Sequence, residues 1–123
     1  YNPGVDIKNL TKEQAAEIYL QKYWSVLPLV AADLHFLMFD CAVNAGVNKA
    51  VRLLQRALSV KDDGLFGINS RAALRRVDEE EILLLFQAER CRHYALLDEL
   101  DDYYARGWMR RALRAFRYVI VDA

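Results

Sequence analysis

Cysteine, proline and glycine are all scarce in this sequence, with two, two and five of them in 123 residues. Two cysteines cannot build a disulfide framework, and a zinc site lacks the other ligands it needs. The histidines are His35 and His93, and Cys91 and His93 at i, i+2 point about 200° apart on a helix. Cys41 and Cys91 each sit inside an apolar helical pattern, where a free cysteine behaves as a small buried hydrophobe. An excess of one charge is also lacking: 17 acids balance 17 bases. No global field draws the chain onto nucleic acid, so no nucleic-acid partner is expected. No apolar run approaches the roughly 18 residues of a membrane span, so no integral membrane segment is expected. Internal repeats, low-complexity tracts and convincing strand alternation are absent as well, and nothing calls for a metal or cofactor.

What is present is an ordinary globular mixture, 54% apolar and 28% charged. A chain of this length buries roughly two-thirds of its unfolded surface, so residues 1–123 read as a single helical domain. It opens on Tyr1-Asn2-Pro3-Gly4 rather than on methionine, as expected of a piece of something longer.

Helices account for most of the sequence. After a turn-like start, Thr11-Lys12-Glu13-Gln14 fits a capping box, threonine followed three residues on by glutamine. The helix it opens should reach Tyr23 or Trp24 and stop before Pro28. From Leu29 to Ala45 the chain is apolar but for Asp33, His35, Asp40 and Asn44, the pattern of a central helix surrounded by others. Gly46 is placed to end it. Asn48 should cap a third helix with Val51, Leu54, Ala57 and Leu58 inward and Arg52, Gln55 and Arg56 outward. Leu65 and Phe66 should tuck the loop Lys61–Gly67 against the core, and Asn69 or Ser70 should cap a short helix ending near Arg76. Asp78-Glu79-Glu80-Glu81 places carboxylates at the positive end of the next helix dipole, which should run to about Leu100 with Ile82, Leu85, Phe86, Cys91, Ala95 and Leu96 packing. A last helix should span Gly107 to Val119. The expected fold is all-α, with five to six helices around the central apolar one. Leu34, Leu37, Met38, Val43, Leu54, Phe66 and Phe86 are its expected core.

Candidate sites stand out against that apolar background. On the central helix Asp40 and Asn44 lie about 20° either side of Asp33, so three polar groups share one narrow face. That face is either the helix's wet side or the border of a cleft that binds sugar hydroxyls and amides. Tyr19, Tyr23 and Trp24 could stack on sugar rings, yet at helical spacing they also suit packing. Asp33 and Asp40 are about 10.5 Å apart in rise, too far for the roughly 5–9.5 Å of a glycosidase carboxylate pair. Asp62-Asp63-Gly64 hints at a calcium loop but lacks the alternating ligands and the closing glutamate. Arg106, Arg110, Arg114 and Arg117, joined by Arg111, form a basic face. It is either a solvated face, partly neutralised by Asp98, Glu99, Asp101 and Asp102 just upstream, or suited to a phosphate-rich partner such as lipid headgroups.

Three stretches carry a family resemblance. They are Phe39-Asp40-Cys41-Ala42-Val43-Asn44-Ala45-Gly46, Leu53-Leu54-Gln55-Arg56-Ala57-Leu58, and Asp63-Gly64-Leu65-Phe66-Gly67. Together with Asp6–Thr11 and Ala16–Trp24 before them and Gly107-Trp108 after, they resemble the N-acetylmuramidases of glycoside hydrolase family 108. The likeness is to the C-terminal portion named a predicted peptidoglycan-binding domain. The glycine loop is also similar to the Asp-Gly-x-x-Gly signature of small three-helix peptidoglycan-binding modules. The family's general acid lies in a Glu-Gly-Gly-Tyr motif, and this sequence contains no Glu-Gly-Gly. The resemblance therefore implies a lysozyme-like fold and the scaffold of an enzyme that cleaves the glycan of the bacterial cell wall, with the catalytic segment lying elsewhere. It implies peptidoglycan glycan strands as partner and synthesis in a bacterial or phage-infected cell, with action at the cell wall or periplasm. Asp40 and Asn44 match the family's Phe-Asp and Asn-Gly pattern and become the leading substrate-binding candidates. Asp33, Tyr19 and Trp24 accompany them, and no catalytic residue is assigned. The alternatives are a non-enzymatic peptidoglycan-binding module and a helical interaction protein that lost the activity. Without an N-terminal lobe the central helix should be partly uncovered, and self-association is then expected.

Overall fold

The computed structural model describes residues 11–97 and 102–122, with side chains for 11–97 and 106–121. The turn-like start, the opening of the family resemblance before Thr11 and the acids Asp98, Glu99 and Asp101 lie outside the described residues. Among these the elements are α1 (Lys12–Tyr19), α2 (Ala32–Ala45), α3 (Val47–Ala57), α4 (Ile68–Arg76), α5 (Glu79–Leu96) and α6 (Asp102–Arg117). The fold is all-α. Thr11 closes the capping box on α1 as its sequence predicts: the Gln14 amide donates to Thr11 Oγ1 at 3.1 Å, and the Thr11 amide donates to Gln14 Oε1 at 3.0 Å. A π-helical turn, Leu20–Trp24, carries α1 to its end short of Pro28. A second such turn, Tyr118–Asp122, follows α6.

Helix α2 is the hub, packed against α3, α5 and α6. Leu34, Leu37, Met38, Cys41 and Ala42 form its buried face. They meet Ala50, Val51, Leu53 and Leu54 of α3, Ile82, Leu83 and Phe86 of α5, and Ala115 of α6. Leu37 is fully buried, so the helix sector it shares with Asp33 and Asp40 is closed at its middle. The remaining turns of α2 are less enclosed than its composition suggests. Phe36, Phe39 and Val43 are only half-buried, and Asp33 is exposed. Among the described residues α3, α5, α6 and the Leu20–Trp24 turn pack on this apolar helix and leave part of its surface half-buried.

Gly46 joins two helices without a loop. At φ 93° it takes a backbone conformation that side chains disfavour, accepting the end of α2 (Gly46 N–H to Ala42 O, 2.8 Å) and starting α3 (Ala50 N–H to Gly46 O, 3.1 Å). Asn48 is therefore inside the first turn of α3 rather than its cap. Its side-chain amide instead packs over Gly64, where φ is +81° and an added Cβ would collide with it. The other departures have similar causes. Gly67, not Asn69 or Ser70, precedes α4. Helix α6 begins at Asp102, and Gly107 lies within it with open space around its Cα. Helix α5 starts, as expected, on an Asp78 cap whose carboxylate accepts from the Glu80 and Glu81 amides, and it ends at Leu96, short of Leu100. Leu65 is 75% exposed while Phe66 alone turns inward, half-buried under the Arg71 guanidinium.

Candidate functional site

The inward face of α5 runs Ile82, Leu83, Phe86, Gln87, Arg90, Tyr94, a regular three-four spacing that ends in polar groups. The sequence reading placed Cys91, Ala95 and Leu96 there; Cys91 is half-buried, and Ala95 and Leu96 are exposed. Two polar residues in the stripe disguised it. Gln87 donates to the Ala112 carbonyl at 2.7 Å and ties α5 to α6. Arg90 is completely buried and reaches α2: its Nη2 donates to Asp40 Oδ2 at 2.7 Å while its Nε donates to Tyr94 Oη at 2.7 Å. Tyr94 Oη donates in turn to Asn44 Oδ1 at 3.0 Å. Arg111 of α6 completes the group, its Nε donating to Asp40 Oδ1 at 3.1 Å.

Asp40 and Asn44 are thus brought together, as their spacing on α2 predicts, and held by Arg111, which the sequence placed only on a basic face, and by Arg90 and Tyr94, which it did not single out. The Asp40 side chain is 15% exposed and has both oxygens engaged by guanidinium groups. Charge-assisted bonds of this kind fix an orientation more firmly than neutral ones. The junction carries two guanidinium charges on one carboxylate, and it is rich in donors: the amide nitrogen Asn44 Nδ2 and the guanidinium nitrogen Arg90 Nη1 are buried without an acceptor among the described residues. Burial would lower Arg90, but Cys41, Tyr94 and Asp40 around it carry it upward, and it stays charged. Burial raises Tyr94 above its ordinary range and pushes the Cys41 thiol up to about 11. Cys41 and Cys91 are both unbridged.

The other candidates lie apart from this junction. Asp33 borders a groove of about 990 Å³ with Leu34, Leu74, Ile82, Phe116 and Val119, its rim made acidic by Asp78 to Glu81. Tyr19 is exposed, its ring stacked on Tyr23 at 5.8 Å. Trp24 lies flat on His35 at 4.0 Å and edge-on to Phe39 at 5.3 Å, and His35 Nε2 donates to the Trp24 carbonyl at 3.0 Å. That pairing clamps the end of α1 to α2. No group of three or more metal-ligating side chains comes together among the described residues.

The glycine loop has a polar centre of its own. Gln55, expected to face outward, is fully buried. Its Oε1 accepts the Gly64 amide at 2.9 Å, and its Nε2 donates to the Leu65 carbonyl at 3.0 Å, Asp63 Oδ1 at 3.1 Å and Ser70 Oγ at 3.2 Å. Arg56 donates to Asp62 at 2.6 Å on the outer side. The Asp-Gly-x-x-Gly signature is in this chain the imprint of a braced turn.

The family model Glycosyl hydrolase 108 matches residues 1–46, the stretch that ends at Gly46 between α2 and α3. The likeness is to glycosyl hydrolase 108. Beyond residue 46 it is carried by structure: the chain is similar to SagA of Brucella abortus, with 28% identity and a TM-score of 0.77, over 98% of this chain and 69% of that one. No curated protein matches the sequence. The glycosyl hydrolase 108 match and the shared fold together support a lysozyme-like protein that acts on peptidoglycan. Among the described residues no helix is long and apolar enough to cross a membrane.

Proposed function

We propose that this chain is the substrate-holding and scaffold part of a lysozyme-like N-acetylmuramidase, a bacteriolytic protein of a bacterial or phage-infected cell directed at the glycan strands of the wall. The observation that carries the reading is the donor-rich junction on α2. Arg111 is 46% exposed yet fixed by Asp40, so its terminal nitrogens stand at the surface already oriented. Peptidoglycan offers the matching acceptors: acetamido carbonyls, ring hydroxyls and the muramic carboxylate. Preorganised donors recognise such groups without the ordering cost a free arginine would meet.

Holding is favoured over cleaving by the state of the acids. A general acid at neutral pH needs a raised carboxyl pKa. Among the described residues the shifted carboxyls, Asp62 and Asp63, are both moved down, Asp62 chiefly by its bond from Arg56 and Asp63 chiefly by the Leu65 amide. The second reading, a binding module with no enzymatic partner, rests on the same fact.

Sedimentation of the purified chain with insoluble peptidoglycan, alongside an assay for new reducing ends, tests the proposal. Retention without reducing ends is expected, and Arg111→Ala should weaken retention about tenfold, the cost of one charge-assisted hydrogen bond. Reducing ends that vanish in Asp40→Ala would instead make this chain the catalyst. Equal retention by Arg111→Ala would move the contact away from the junction.

A further inference from the structure

Helix α6 divides its residues by charge as well as by burial. Ala112 and Ala115 are buried, with Val119 beyond them in the following turn, and Arg106, Arg110, Leu113, Arg114 and Arg117 are exposed. At about 100° per residue the four arginines and Leu113 fall within one sector, opposite the buried alanines. Among the described residues none of these four arginines is in an ion pair; Arg111 alone of the α6 arginines reaches an acid, and it lies at the edge of the sector. No aspartate or glutamate occurs from residue 103 to 121. A chain of zero net charge has gathered on one ridge four guanidinium groups that meet no acid among the described residues. Among and beyond them stand aliphatic side chains in water: Leu113 is 61% exposed, and Val121 is exposed just past the helix.

We propose that this ridge docks on an anionic lipid surface, a function separate from the peptidoglycan junction. Guanidinium forks pair two-to-one with phosphate oxygens, which accounts for arginine at each position along the ridge. The interleaved aliphatics decide between the sources of phosphate. A phosphate polymer in solution gives Leu113 and Val121 nothing to enter, whereas the headgroup–acyl boundary of a bilayer accepts both kinds of side chain together. The contact is peripheral, since the other face of α6 is committed to the core.

Co-sedimentation of the chain with phosphatidylcholine vesicles, with and without phosphatidylglycerol, is the test. Binding is expected only with phosphatidylglycerol and should fade as salt is raised from roughly 0.1 M to 1 M, where screening shortens to about 3 Å. Arg110→Ala combined with Arg114→Ala should weaken partition about thirtyfold, from two basic side chains at the surface. Leu113→Ser should weaken it by roughly threefold or more if the side chain enters the boundary. All three positions are exposed, and an unchanged melting temperature confirms that the variants fold. The proposal is overturned if neutral vesicles bind equally well, or if the double variant binds like the parent. It is overturned too if Leu113→Ser has no effect while soluble polyphosphate displaces the chain completely, which would make the ligand a phosphate polymer.

Discussion

Two polar clusters hold this molecule, and they are built on opposite plans. The brace around Gln55 is local and neutral at its centre: one amide side chain satisfies Gly64, Leu65, Asp63 and Ser70, all within fifteen residues of it. The Asp40 junction is ionic and distant in sequence. Its bonds from α5 span 50 residues, and the one from α6 spans 71. The brace leaves little to add, because both ends of the Gln55 amide are used. The junction leaves Asn44 Nδ2 and Arg90 Nη1 without acceptors among the described residues. A turn whose groups are matched is a structural device, whereas a cluster with surplus donors is equipped to receive something. On this contrast the junction, not the glycine loop, is the candidate site, although the loop carried the more familiar signature.

The contrast can be broken by removing each centre. Arg90→Leu has the largest expected effect: taking one partner from a buried pair costs about 3–5 kcal/mol, here toward the lower figure because Arg111 still holds Asp40. Urea denaturation measures it. A loss below about 1 kcal/mol would mean that Asp40 is solvated well enough to stand without Arg90, and the junction would not be a rigid site. Gln55→Ala should cost less, about 1–3 kcal/mol, through loop groups left unsatisfied. Its effect should be confined to the loop, with faster amide exchange at Gly64 and Leu65 and no change at Tyr94. A loss spread across α5 would show that the two clusters are coupled.

The last and smallest expected effect concerns Cys41, next to Asp40 on α2. Burial raises its thiol from 9.0 to about 11 in the folded chain. Between these values the unfolded chain gives up the proton and the folded chain keeps it, so stability is intact below pH 9 and declines as pH rises toward 11. Thiol titration should accordingly label half-exposed Cys91 well before buried Cys41. Equal labelling rates would show that the core opens at this point.

Much of the fold is legible because it is local. Thr11 and Gln14 specify the α1 cap, Asp78 the start of α5, and Gly46 the end of α2, each through backbone bonds within four residues. The apolar run from Leu29 to Ala45 marks the central helix by composition alone. The pairing of Asp40 with Asn44 follows from helical spacing. What a hydrophobic pattern conceals are residues whose burial contradicts their chemistry. Arg90, Gln87 and Gln55 are polar, so a hydrophobic pattern assigns them to solvent. Leu65 and Leu96 are aliphatic, so the same pattern assigns them to the core.

By itself, then, the sequence determined the helices, their main caps and breaks, the hub among them and the two residues of α2 that share a polar face. Only the tertiary structure decided what that face meets. Arg90 can be buried because α2 supplies Asp40 fifty residues earlier, and Tyr94 because Asn44 accepts its hydroxyl. A buried charge is tolerable only beside its partner, and no local propensity encodes a partner that folding brings from another helix.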